Sequence, residues 1–167
     1  TALAIKRNES LTSVDFRNIP SANTEEIYSF LGSFLLHEDC MCRLGFLACD
    51  AFEIVTGQKE LILQPPREVD EEGSAVVGAT PEAKPGVMSM LAGVLKFNTS
   101  LRSVVLAGTG LDDASGNFFA TALQENTVLE ELDVSANPIG SQGITEIAVA
   151  VRSHPALKFV KVDGEPL

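Results

Sequence analysis

Basic charge, histidine, paired cysteine and long apolar runs are all scarce in this chain, and each scarcity removes a class of protein. Lys and Arg number 12 against 23 Asp and Glu, a net charge of −11. Nucleic acids and anionic membrane surfaces demand basic patches, so neither is an expected partner; a charged protein partner is expected to be basic. No apolar run approaches the roughly 18 residues of a membrane span, so no direct membrane insertion is expected. The opening TALAIKRNES lacks the basic start, apolar centre and small-residue cleavage site of a secretory leader. The cysteines, Cys40, Cys42 and Cys49, are odd in number and closely spaced. They build no disulfide framework and fit a reducing, intracellular and cytoplasmic compartment.

What is present is a recurrence. The length of 167 residues, 45% hydrophobic and 21% charged, suits one domain with a sizeable core. Leu101, Val104, Leu106 and Leu111 lie over Leu129, Leu132, Val134 and Ile139, then over Leu157, Val160 and Val162, with starting residues 28 apart each time. An apolar residue six before each start and Asn or His three before it recur too: Leu95 and Asn98, Leu123 and Asn126, Val151 and His154. Ile5 and Asn8 stand in the same relation to Leu11, so Leu11, Val14 and Phe16 are read as an earlier strand.

Each unit is therefore a short strand, a turn and a helix of about three turns. Phe118, Phe119, Ala122 and Leu123 recur at helical spacing, as do Ile144, Ile147, Ala148 and Val151. Asp112 or Asp113, and Ser141, are expected N-caps. A unit of this size cannot bury both faces alone, so neighbours must stack.

These residues resemble the ribonuclease-inhibitor-like class of leucine-rich repeat, LxxLxLxxNxIGxxGxxxLAxALxxNxS. NPIGSQGI supplies Asn137, Gly140 and Gly143 in register, whereas Thr109 stands at the asparagine position one unit earlier. The expected job of Asn137 is to bond backbone groups that no strand pairs with. The resemblance implies an α/β leucine-rich-repeat solenoid, a partial horseshoe of five or six units with a parallel inner sheet and outer helices.

Residues 1–167 are read as one such domain, irregular at 37–64 and regular from 86–167. TEEIYSFLGSFLL, residues 24–36, reads as a longer helix with Ile27, Phe30, Leu31, Phe34 and Leu35 on one face. Leu44, Leu47, Cys49 and Ile54 fit the strand template. FEIVTGQKELIL reads as two short strands around the turn Thr56-Gly57-Gln58-Lys59, with Leu61 and Leu63 the inward pair of a further repeat strand. Residues 65–85, with four of the 8 prolines and Glu68, Asp70, Glu71 and Glu72, read as an acidic loop insertion.

Catalysis finds little support. The cluster His37, Cys40, Cys42 and Cys49 has zinc-ligand types without the spacing of a finger or ribbon, so the thiols are read as core. No metal, cofactor or catalytic residue is expected. His154 occupies the slot of Asn98 and Asn126 and is read as a structural cap, and Glu131, Asp133 and Asp113 show no sign of desolvated pairing. Gly108-Thr109-Gly110 and the Gly140/Gly143 pair lack the lysine of a P-loop.

Binding is better served. The outward strand residues of a curved solenoid line its concave face. Here they are Ser103, Val105 and Ala107; Glu131, Asp133 and Ser135; Phe159, Lys161 and Asp163, with Ser13, Asp15 and Arg17 on the earlier strand. The expected function is a non-enzymatic protein–protein interaction module or scaffold subunit. Because the repeats open mid-helix and stop one strand into a unit, the chain is expected to belong to a longer polypeptide or a larger assembly. Similar repeats occur in inhibitors of basic ribonucleases, in Ran GTPase-activating proteins and in the actin-capping domain of tropomodulin, which keeps those readings open. A zinc enzyme built on the cysteine cluster is a further alternative.

Overall fold

The computed structural model describes residues 11–18, 24–40, 42–63, 68–69, 75–76, 84–162 and 165–166. Ile5, Asn8 and Asp163 lie outside them. In chain order the elements begin with β1 (Ser13–Asp15), α1 (Thr24–Leu36), β2 (Phe46–Ala48), β3 (Glu53–Ile54), β4 (Glu60–Ile62), β5 (Glu68–Val69) and β6 (Ala75–Val76). They continue with α2 (Pro85–Phe97), β7 (Ser103–Val105), α3 (Asp113–Glu125), β8 (Glu131–Asp133), α4 (Ser141–Ser153), β9 (Phe159–Val162) and β10 (Glu165–Pro166).

The recurring aliphatics meet as their period requires. β4, β7, β8 and β9 run parallel, and Leu61, Val104, Leu132 and Val160 stand opposite one another across all four strands. Each is buried, and Leu106, Leu111, Leu129, Val134 and Ile139 fill the same core. β10 lies antiparallel along β9, Glu165 against Val162.

The first two strands behave differently. β1 and β2 pair in parallel with Val14 opposite Leu47, as the strand template aligns them. β3 then doubles back against β2, Leu47 opposite Ile54, so the described strands form two larger sheets rather than the single parallel one expected. The cause is a missing helix. No helix separates β2 from β4, and β3 takes the edge of β2 that a following repeat strand would use. In the outer layer α1 therefore packs directly on α2. The two backbones nearly touch: a Cβ on Gly32 would lie 2.5 Å from the Ser89 carbonyl carbon.

Several local readings need correction. α1 is no longer than its fellows, since all four described helices have 13 residues. Phe30 lies on its exposed side, and Tyr28 and Gly32 are buried instead. The turn before β4 spans Val55 to Gln58, closed by the Gln58 N–H donating to the Val55 carbonyl at 3.1 Å with Gly57 at φ 86°, and its flanking strands pair with other partners. Inside the acidic Pro-rich stretch β5 and β6 pair antiparallel. In α4, Ala148 is exposed, and Gly143, Ile147 and Ala150 make the buried face.

Helix starts follow one rule that the sequence hides. Asp112 caps α3, accepting from the Ser115 N–H at 2.8 Å, but the N-cap of α4 is Gly140, and Ser141 makes no side-chain cap. Asp113 supplies the missing acceptor from the neighbouring unit, taking the Gly143 N–H at 2.7 Å. Glu25 in α1 does the same for α2, accepting from the Gly86 N–H at 2.5 Å. A carboxylate against the orphan amides and positive pole of the next helix ties units together at their outer rim.

Candidate protein-binding face

Register turns the outward residues into rows. Glu60, Ser103, Glu131 and Phe159 form one row across β4, β7, β8 and β9; Ile62, Val105, Asp133 and Lys161 form the next. Ile62 is 47% exposed and Phe159 42%, two large apolar side chains open to solvent, while Val105 in the same rows is half-buried. Ile62 and Glu60 were missed in the sequence, although naming Leu61 and Leu63 as inward already made the residues on either side of Leu61 outward. Ser13, Asp15 and Arg17 sit at β1, on the other sheet, where Arg17 grips the Asp15 carboxylate and holds its pKa below the usual range.

The rest of the predicted face is uneven. Ala107 is half-buried, and Ser135 is buried, its hydroxyl donating to Asp133 Oδ1 at 2.6 Å and its N–H at 2.9 Å. Ser135 therefore orients Asp133 and offers no surface of its own. Burial opposes ionisation of Asp133, but the Ser135 bonds and the Lys161 ammonium 3.5 Å away outweigh it and keep its carboxyl below the ordinary range. At the entry edge of the strands Glu130 lies between Arg102 at 3.9 Å and Lys158 at 2.5 Å, a charge ladder over three units. Such exposed pairs add little stability and mainly fix rotamers.

The reactive groups of this region have structural roles. Cys40, Cys42 and Cys49 are buried free thiols, and desolvation pushes Cys42 and Cys49 up, away from thiolate. His37 sits at the end of α1, its Nδ1 accepting from the Asp39 N–H at 3.1 Å. Among the described residues no three His, Cys, Asp or Glu side chains converge as metal ligands. Nor is any described helix long and apolar enough to cross a membrane. His154 Nδ1 accepts from the N–H groups of Ala156 and Leu157, repeating what Asn98 and Asn126 do with their amide oxygens. The Gly110 and Leu111 amides of the glycine turn donate to Asn137 Oδ1 at 2.8 and 3.0 Å.

Comparison with known proteins gives the same picture. The Leucine Rich repeat family model matches residues 125–148. Tropomodulin-4 of Mus musculus is 35% identical over 79 residues, 47% of this chain and 23% of that protein, and the Homo sapiens protein is 34% identical over the same shares. The protein phosphatase 1 regulatory subunit 37 homolog of Caenorhabditis briggsae is 31% identical over 64 residues, 38% of this chain and 7% of that one. The match thus spans under a quarter of the length of these curated relatives. Among solved structures, leiomodin-1 actin-binding site 2 shares the fold with a TM-score of 0.50 at 19% identity, covering 86% of this chain and 63% of that one. Strand register, family match and shared fold agree that this chain is a leucine-rich-repeat protein.

Proposed function

We propose that the chain is a non-enzymatic protein-interaction module that presents the β4–β7–β8–β9 face to a protein partner, with actin as the first partner to test. One observation carries the reading: Ile62 and Phe159 stand exposed at opposite ends of two registered rows, with Glu60 and Glu131 beside them. Apolar anchors ringed by polar groups are the usual energetic centres of a protein interface. The acidic pair favours basic groups on the partner. Actin comes from the name of leiomodin-1 actin-binding site 2, whose fold this chain shares. The buried, unpaired cysteines suit an intracellular, cytoplasmic setting.

Cosedimentation with actin filaments, and gel filtration with actin monomers, test it. Binding to one form is expected, weakened roughly tenfold by Phe159→Ala, in line with about 1.4 kcal/mol for a lost hot-spot contact, and lost in Phe159→Ala with Ile62→Asp. Undiminished binding by the double variant would move the interface off this face. Failure of both actin forms to bind would reject actin as the partner.

A further inference from the structure

The missing helix leaves a cavity of about 270 Å³ at the entry edge of the strands, bounded by Arg43, Thr56, Gly57, Phe97, Asn98 and Thr99, among others. Among the described residues, Arg43 is the one charged side chain in its lining. The Arg43 guanidinium lies 5.7 Å over the Phe97 ring, and among the described residues it has no carboxylate or hydrogen-bond partner. The Lys96 ammonium stands 5.0 Å from the same ring, held by the His37 carbonyl at 2.9 Å. No carboxylate lines the cavity among the described residues.

Asn98 supplies the sharper clue. One unit later, Asn126 uses both ends of its amide: Oδ1 accepts from Val128 and Leu129, and Nδ2 donates to the Leu95 carbonyl at 2.6 Å and the Asn98 carbonyl at 3.3 Å, at the end of the preceding helix. Asn98 makes the acceptor half of that pattern, with the Ser100 and Leu101 amides at 2.8 and 2.7 Å. Its donor half has no counterpart: no helix lies between β2 and β4, and the carbonyls of Leu36 and His37 at the end of α1 accept from the Lys96 ammonium instead. Asn98 is only 6% exposed, and its Nδ2, which meets no acceptor among the described residues, keeps its access to solvent. An incoming carboxylate would replace water there with a charge-assisted bond, roughly twice as strong as a neutral one.

The geometry points to a socket for a carboxylate, an Asp or Glu side chain carried by the protein partner of the proposed interface, gripped by Arg43 and Asn98 Nδ2 above the Phe97 ring. The inference rests on the interaction reading and adds the partner's chemistry at this flank: basic groups over Glu60 and Glu131, an acidic side chain at the notch. In a chain of net charge −11 this is a local reversal of sign, so it selects orientation as well as partner.

The test needs no partner. Amide resonances of the isotopically labelled chain are followed while N-acetyl-aspartate methylamide is added, with N-acetyl-asparagine methylamide as the neutral isostere and inorganic phosphate as a third arm. Shifts at Gly45, Gly57, Thr99 and Ser100 are expected with the carboxylate alone, with a dissociation constant on the order of millimolar for one desolvated ion pair. Arg43→Gln should weaken the response at least tenfold. Asn98→Asp keeps the acceptor that holds Ser100 and Leu101 but replaces the free donor by an anionic oxygen, so it should abolish the response while leaving those amides in place. Equal response to the neutral isostere, a stronger response to phosphate, or an unaltered Arg43→Gln would overturn the proposal. Ile62→Asp should leave the titration unchanged, so loss of actin binding and loss of the socket are read separately.

Discussion

At the scale of single residues, stability between units rests on side chains that bond the backbone of two units at once. Asn137 donates through Nδ2 to the carbonyls of Leu106, Val134 and Ser135 and accepts from Gly110 and Leu111. Thr109, at the same position one unit earlier, makes one local bond, to the Leu106 carbonyl at 2.7 Å. Asn137→Ala is therefore expected to cost about 2–4 kcal/mol and Thr109→Ala about 1 kcal/mol, since buried groups left bare lose more than a bond's net worth; urea unfolding of both variants measures the ratio. His154 adds a pH dependence. Burial holds its imidazole below the ordinary value of 6.5, and only the neutral ring can accept from Ala156 and Leu157, while Nε2 is buried without a partner. The unfolded chain binds this proton at about pH 6.5 while the folded chain resists it, so the destabilisation is absent above that pH. It grows as pH falls and levels off below the folded pKa. His154→Asn, the residue type of the neighbouring units, is expected to flatten that part of the stability curve; parallel curves for the two proteins would discard the assignment.

At the scale of elements, the helices are seated by partners that sequence order conceals. Asp113→Ala is expected to cost about 1 kcal/mol, the usual worth of a cap, and to show it in α4 rather than in its own helix. Hydrogen exchange of the Gly143 amide reads this out, with the Ser115 amide of α3 as internal control. Gly116→Ala probes the same contact from inside, because a Cβ there would lie 2.9 Å from the Gly143 Cα; overpacking of about 1–3 kcal/mol is expected, visible as a lowered thermal midpoint. The recurrence in the sequence placed Val104, Leu132 and Val160 side by side, because inward aliphatics at fixed spacing have one way to stack. It left Asp112 and Asp113 as alternative caps of one helix, because they are adjacent and only the stack gives Asp112 to α3 and Asp113 to α4. Ile62 was legible from Leu61 and Leu63, whereas the free donor of Asn98 was not: its residue type is the regular one, and what departs from the pattern is the missing helix before it.

At the scale of the whole molecule, the break between β2 and β4 divides the stack into two blocks with separate sheets. A helix is about 10 Å across and strands pair about 4.8 Å apart, so regular alternation curves a solenoid while keeping its sheet continuous. Here no helix lies between β2 and β4, and α1 on α2 carries much of the coupling between blocks, with the Thr56 hydroxyl holding the Gly45 carbonyl at 3.2 Å to stiffen the β2–β3 side. Nearest-neighbour stacks open at their weakest interface. Leu47 and Leu132 are both fully buried, so truncation to alanine should cost about 2–5 kcal/mol at either site. The two should differ in reach. Leu47→Ala is expected to raise exchange in β1, β2 and β3 while β7 and β8 keep their protection, whereas Leu132→Ala, in the middle of the parallel sheet, should lower protection from β4 through β9. Exchange followed by mass spectrometry resolves the strands. Uniform loss of protection in Leu47→Ala would mean that the contact between α1 and α2 alone is strong enough to make the two sheets a single cooperative unit.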